Sequence, residues 1–183
     1  MNIKLFSLLS LLLLPAIGIA AERTISAGDI SAQDGDTVLI LINDKNERIQ
    51  LTGIDAPEDV DNPKLQLDLK RTALDKSQLL KIGRIATEQL RFLLQTHPPY
   101  VLYYNPHQHD RYGRIPGKIV NAAGASIAAQ MIANGYAIVN RRGAPTSLID
   151  RLLPLQQSAM RKKRGLWGLY GNITRRWADI KQH

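Results

Sequence analysis

The sequence predicts an α+β domain: a small barrel of five short strands with about three helices packed on it. Three observations predict it. Short β-branched runs bounded by polar turn clusters dominate the first half of the chain after residue 20. Longer segments with apolar residues at helical spacing are interleaved with them. The chain has 183 residues, with no repeat and no low-complexity stretch, which suits one domain of ordinary size with a full core.

The first twenty residues stand apart. A short start carrying Lys4 leads into an apolar stretch, residues 5–19, centred on Leu8, Leu9, Leu11, Leu12, Leu13 and Leu14. Small residues follow at Gly18, Ala20 and Ala21. That is the layout of a secretory signal cleaved after Ala20. The apolar run contains Pro15 and falls short of the ~20 residues that span a bilayer. The expectation is a signal peptide over 1–20 and a single domain over 21–183. The mature product is then periplasmic or extracellular, without stable membrane association.

Residues 24–31 read as a first strand. Thr37–Ile42 (TVLILI) is β-branched and apolar, and Asn43, Asp44, Lys45 and Asn46 form a polar turn cluster. Residues 47–54 then alternate, with Ile49 and Leu51 on one face and Arg48, Gln50 and Thr52 on the other. Two such runs around a polar turn make a hairpin. The charged stretch 55–81 carries some helix around 70–80. Residues 84–95 form a firmer helix, with Ala86, Leu90, Leu93 and Leu94 at i, i+4, i+7 and i+8, ended by Pro98 and Pro99. Tyr100–Tyr104 and Ile115–Val120 read as strands on either side of the loop 105–113, the second interrupted by Pro116.

Ser126 caps a helix through Asn134 with Ala128, Met131 and Ile132 inward, and Gly135 stops it. Residues 136–140 are extended. A last helix covers 147–164, with Pro154 inside it predicting a kink or a late start, and Gly165 ends it. Trp167 and Trp177 are read as packing residues. Five strands with helices between them fit a Greek-key barrel of the OB type.

Lys and Arg number 24 against 16 Asp and Glu, a formal charge of +8. A strongly basic protein meets a polyanion, and nucleic acid is the first such partner to consider. The absence of cysteine excludes disulfides and thiolate metal sites, so a metal would be held by oxygen donors or histidine.

Three clusters carry the candidate chemistry: Asp34-Gly35-Asp36-Thr37 before a strand, Asp55-Ala56-Pro57-Glu58 after one, and Asp110-Arg111-Tyr112-Gly113-Arg114 in a turn. Asp-Gly pairs are ordinary turn formers, and each cluster alone is weak. Together they say more. Asp36 and Asp55 lie at the ends of strands that the hairpin makes neighbours, and two carboxylates brought together repel unless a cation sits between them. Hard oxygen ligands favour Ca2+ or Mg2+. A cation, Glu58 to position or deprotonate water and the guanidinium of Arg114 are the parts for phosphodiester hydrolysis.

The order DGDT, GIDAPE, DRYGR, a helix ending NGYA, then KKRGLW resembles the staphylococcal nuclease family over essentially the whole mature chain. The resemblance implies an OB-type barrel with three helices and Ca2+-dependent hydrolysis of DNA and RNA that leaves 3′-phosphates. It implies that Asp36 and Asp55 are calcium ligands together with the backbone carbonyl of Ala56, at ~2.3–2.6 Å. Asp34 matches the acid standing behind those ligands. Glu58 matches the carboxylate on the attacking water, Arg114 one of two phosphate-binding arginines, and Arg111 and Tyr112 the residues flanking the nucleotide phosphates. The protein is expected to act as a monomer on DNA and/or RNA.

One position departs from the pattern. Where the family places its second arginine, this chain has Gln50. Arg48 lies two residues earlier on the same strand face, ~6–7 Å along it, as a possible substitute. Gln50 donates an amide hydrogen bond but carries no charge. The rival expectation is therefore a secreted nucleic-acid-binding barrel, catalytically weak or inactive.

Overall fold

A computed structural model describes residues 21–179, and the expected signal peptide lies outside them. The described chain runs β1 (Ala21–Ile25), β2 (Ile30–Ala32), β3 (Thr37–Ile42), β4 (Lys45–Leu51), β5 (Ile54–Asp55), α1 (Pro63–Thr72) and α2 (Lys76–Thr96). It continues through β6 (Tyr100–Tyr104), β7 (Ile115–Val120), α3 (Ile127–Ala133), β8 (Ile138–Val139), α4 (Thr146–Arg161), α5 (Leu166–Leu169) and α6 (Gly171–Trp177). Six strands form one sheet in the order β1-β6-β7-β4-β3-β2, while β5 and β8 make a separate two-stranded ribbon. The β4–β7 pair is parallel and the other pairs are antiparallel.

The sheet is curled into a barrel by its two edges. β1 pairs with β6 and β2 pairs with β3, yet only a single 3-10 turn over Ala27–Asp29 separates β1 from β2. Five residues of chain from Ile25 to Ile30 reach at most ~18 Å, so the opposite edges are drawn together. The expected strand 24–31 is thus one bent strand in two pieces, and with β3, β4, β6 and β7 it makes the five-stranded barrel. The β5–β8 ribbon is additional. Val38, Ile40, Ile49, Leu51, Leu102 and Ile119 fill the interior with no exposed surface.

The β3–β4 hairpin closes at Ile42↔Lys45, so its loop is only Asn43 and Asp44, and Lys45 and Asn46 belong to the strand. Both loop residues have positive φ (50° and 61°), which Asn and Asp tolerate and which matches the twist of a two-residue hairpin.

The helices correct the sequence reading most. Six are present among the described residues rather than about three. The expected helix around 70–80 spans a break: α1 ends at Thr72, Ala73 turns left-handed (φ 50°), and α2 starts at Lys76, eight residues before the expected start. Asp75 and Gln78 form a reciprocal capping box there, a signature visible as D-x-x-Q. The final helix also stops earlier than expected, at Arg161, and carries Pro154 within it. α6 was not anticipated; it buries Trp177, whose indole Nε1–H donates to Asp68 Oδ2 at 3.2 Å and ties the C-terminal segment to α1. Trp167 is likewise buried.

Helix α2 forms the template for the site. Its Gly83, Ala86 and Thr87 line one face. A Cβ on Gly83 would lie 2.0 Å from the Glu58 carbonyl oxygen, and a Cβ on Gly35 would lie 2.7 Å from Ala56 Cβ and 2.9 Å from Ala86 Cβ. Thr87 Oγ1 donates to Asp59 Oδ2 at 2.7 Å. The loops carrying DGDT and DAPE are therefore pressed together on this helix, and glycine is required at two of the contacts. Gly83→Ala should cost ~1–3 kcal/mol, because the clash is with backbone and outweighs the ~1 kcal/mol gain in helix propensity. Urea denaturation should give a lower midpoint; an unchanged or higher midpoint would contradict the close contact.

Candidate active site

The site lies at one end of the barrel, where the loops before β3 and after β5 meet the turn before β7. An open cleft of about 340 Å³ is lined by Asp34, Arg48, Glu58, Lys64, Tyr112 and Arg114, among others.

Asp34 acts within its own loop. Its Oδ1 accepts from the backbone N–H groups of Asp36 (3.0 Å) and Thr37 (2.7 Å), which sets the turn into β3. Asp36 is almost fully buried. Its Oδ2 accepts from the Ala56 N–H at 3.0 Å, its Oδ1 accepts from Thr37 Oγ1 at 3.0 Å, and Arg114 Nη1 lies 3.6 Å from that same Oδ1. The backbone adds a further tie, since Leu51 N–H donates to the Asp36 carbonyl at 2.8 Å. The hairpin thus does bring the Asp36 and Asp55 loops side by side.

The DRYGR turn is organised by Asp110. Its Oδ1 accepts from the N–H groups of Tyr112 (2.8 Å) and Arg114 (2.9 Å), and its Oδ2 accepts from Arg114 Nε at 2.9 Å. These bonds from Arg114 and Tyr112 outweigh burial and hold the Asp110 carboxyl below the usual range. Gly113, at φ 72°, takes the left-handed position of the turn. Arg114 is thereby aimed across the sheet, where its Nη1 donates to Thr37 Oγ1 at 3.0 Å. The Tyr112 ring carries Arg111 and Arg114, with guanidinium carbons 4.8 and 5.3 Å from its centroid. Arg111 is exposed.

Arg48 and Gln50 share a strand face but not a setting. Arg48 lines the cleft; its Nε donates to Gln33 Oε1 at 2.9 Å and its Nη1 to the Tyr112 carbonyl at 3.4 Å. Gln50 pairs with Thr37 across the hairpin, and its Oε1 lies 3.4 Å from Thr37 Oγ1. The second guanidinium beside the cleft is therefore that of Arg48.

The most consequential residue is one that the motif reading passed over. Asn62 caps α1 by accepting from the Leu65 N–H at 2.9 Å, and Pro63 occupies the first helical position. This places Lys64 in the first turn, with its chain directed back into the DAPE loop. Lys64 Nζ lies 3.0 Å from Asp55 Oδ1, 2.7 Å from Glu58 Oε1 and 3.0 Å from the Ala56 carbonyl oxygen. Glu58 Oε2 accepts a short hydrogen bond from Asn62 Nδ2. Sequence did carry a signal here: Asn-Pro opening an amphipathic segment predicts a helix start, hence the place of Lys64.

Four carboxylates, those of Asp34, Asp36, Asp55 and Glu58, share this end of the barrel with Lys64 and Arg114. Burial pushes Asp34 well above the usual carboxylate range, and the Asp36 charge adds to it. Burial pushes Asp55 up to about 6 against the pull of the Lys64 ammonium, with Asp36 again adding. Burial alone would lower Lys64, but the charges of Asp55, Asp36 and Glu58 raise it instead. The raised Asp34 and Asp55 carboxyls report crowded, desolvated acids whose ionised forms a nearby cation would stabilise. Among the described residues no three acid or histidine side chains converge as a ready metal cluster. The donors around Lys64 nevertheless fit a hard cation: they are all oxygen, they include a main-chain carbonyl, and an ammonium already sits among them.

Comparison with known proteins shows the family of the chain. The family described as staphylococcal nuclease homologue matches residues 48–168. That span holds Arg48, Asp55, Glu58, Lys64 and Arg114 but begins after Asp34 and Asp36. An Escherichia coli protein described as an uncharacterized endonuclease is 33% identical over 135 residues, 73% of this chain and 71% of that one. Endonuclease YhcR of Bacillus subtilis is 26% identical over 90 residues, 49% of this chain but 7% of its own length.

Proposed function

From a chain that belongs to the staphylococcal nuclease homologue family, and is thereby a nuclease, we infer an exported, Ca2+-dependent enzyme. It hydrolyses phosphodiester bonds of DNA and/or RNA and leaves 3′-phosphates. The observation that carries this reading is that Arg114, Arg48 and Glu58 line one cleft together with Asp34 of the DGDT loop.

Each group has work suited to its position. Arg114 is held by Asp110 and Thr37, so its guanidinium is ready for a phosphate oxygen without reorganising. Arg48 supplies a second guanidinium from β4, and Tyr112 forms a wall for the nucleotide. Glu58 accepts a proton from, or orients, the attacking water. Asp36, Asp55 and the Ala56 carbonyl would hold Ca2+, with Asp34 fixing the loop that carries Asp36. The ion, when bound, polarises the phosphoryl oxygen as a Lewis acid. The basic charge, +8 over the full sequence, draws the polyanion to the surface.

The test is a digest of single- and double-stranded DNA and of RNA by the protein recovered from its native source, with Ca2+, with Mg2+ and with chelator, followed by end-group analysis. The expected result is Ca2+-dependent cutting with 3′-phosphate ends, by a protein outside the cytoplasm whose first residue is Ala21. Binding without cutting under every cation would overturn the reading. An intact Met1 form inside the cell would overturn export alone.

A further inference from the structure

We propose that Lys64 is a built-in competitor for the divalent cation: in the metal-free protein its ammonium occupies the cation position and ties down Glu58, and metal entry requires it to leave. The inference rests on the reading of Asp55 and Ala56 as ion ligands.

Three contacts carry it. Lys64 Nζ sits 3.0 Å from Asp55 Oδ1, 3.0 Å from the Ala56 carbonyl and 2.7 Å from Glu58 Oε1. An ammonium has three N–H donors, and all three are spent here. Two of the oxygens are the very atoms proposed to bind the ion. A divalent cation at ~2.3–2.6 Å from them would lie against a second positive charge in a partly buried site. The two occupants therefore exclude each other.

Within its own helix Lys64 has only the distant i,i+4 partner Asp68, at 4.0 Å, while its closer partners all lie in the DAPE loop. It stands in the first turn of α1, where the helix dipole disfavours a cation. The carboxylates hold it there. Its route out is short, because the side chain is 24% exposed at the cleft wall and reaches its partners through a flexible four-carbon stem. Rotating that stem moves no backbone.

Departure of Lys64 also changes Glu58. Both Glu58 oxygens already accept a donor, one from Lys64 and one from Asn62, and the ammonium at Oε1 lowers the pull of that oxygen on a water proton. Releasing Nζ frees Oε1 on the side of Asp55 and Ala56. Metal entry and the release of Glu58 Oε1 from Lys64 are thereby coupled.

The experiment compares the parent with Lys64→Met, which keeps the length of the chain and removes the charge. Ca2+ binding is measured by calorimetry, and the reactivity of Lys64 in the parent is measured by amine acetylation and peptide mass spectrometry. Lys64→Met is expected to bind Ca2+ at least ten-fold more tightly, including the case in which the parent shows no binding. Saturating Ca2+ is expected to raise acetylation of Lys64 in the parent several-fold. Should Lys64→Met fail to fold, the acetylation measurement stands alone on the unaltered protein. Equal Ca2+ affinity in the two proteins, or acetylation indifferent to Ca2+ where the parent binds it, would overturn the competition while leaving the nuclease assignment intact. Failure of both proteins to bind Ca2+ would remove the ion-ligand reading and the competition together.

Discussion

Glu58→Gln and Arg114→Ala should each lower turnover by about 10²–10³, the scale for losing one positioned group that stabilises charge in the transition state. Glu58 is buried and held on both oxygens, so glutamine preserves its volume and one acceptor while removing the charge and the basicity. Arg114 has an equally defined place, between Asp110 Oδ2 and Thr37 Oγ1 and facing Asp36. Arg114→Lys should recover little of the loss, because an ammonium cannot hold Asp110 through Nε while presenting its other donors to a phosphate. Affinity for DNA should fall less than turnover, since several basic residues share the phosphate contacts. Steady-state kinetics would show this as a drop in kcat at nearly constant KM. Either variant cutting at the parental rate would mean that the cleft is not where the chemistry occurs.

Arg48→Ala should nearly abolish cutting, by ~10²-fold or more, whereas Gln50→Arg should change the rate by less than several-fold. In the sequence these positions compete for one role, and the structure separates them. Arg48 lines the cleft beside Tyr112 and is steadied by Gln33. Gln50 faces Thr37, whose hydroxyl donates to Asp36 and receives the Arg114 Nη1 donor. A guanidinium placed at position 50 would crowd Arg114 with like charge rather than supply a missing group. The reverse outcome, a large gain from Gln50→Arg with little cost from Arg48→Ala, would mark a site with one working arginine and leave Arg48 as a bystander. Rates should be measured on the double variant as well, because groups that act on one phosphate are not additive.

What the sequence by itself determined is local. The hairpin of β3 and β4 follows from alternation and an Asn-Asp turn, and the buried face of α2 follows from apolar spacing, because both patterns repeat within one element. The order of DGDT, GIDAPE and DRYGR was sufficient to point to the family and to bring Asp36 and Asp55 near one another, since a hairpin makes neighbours of strand ends. Signals for the α1 and α2 starts were also present in Asn62-Pro63 and in Asp75 with Gln78, but a capping pattern competes with many chance matches until packing selects it.

Tertiary structure alone decided the rest. The bent β1–β2 strand closes the barrel only because the sheet curls, and α6 is held by a bond between Trp177 and Asp68 more than a hundred residues apart. Gly35 and Gly83 are ordinary residues in the sequence; their necessity appears only when a loop backbone meets α2 at under 3 Å from where a side chain would begin. That Arg48 rather than Gln50 lines the cleft, and that Lys64 sits among Asp55, Ala56 and Glu58, depended on how β4 and the start of α1 meet the surrounding loops. Period and turn chemistry act over a few residues and are written in the chain, whereas burial, close approach and the balance of charges depend on which distant segments share a surface.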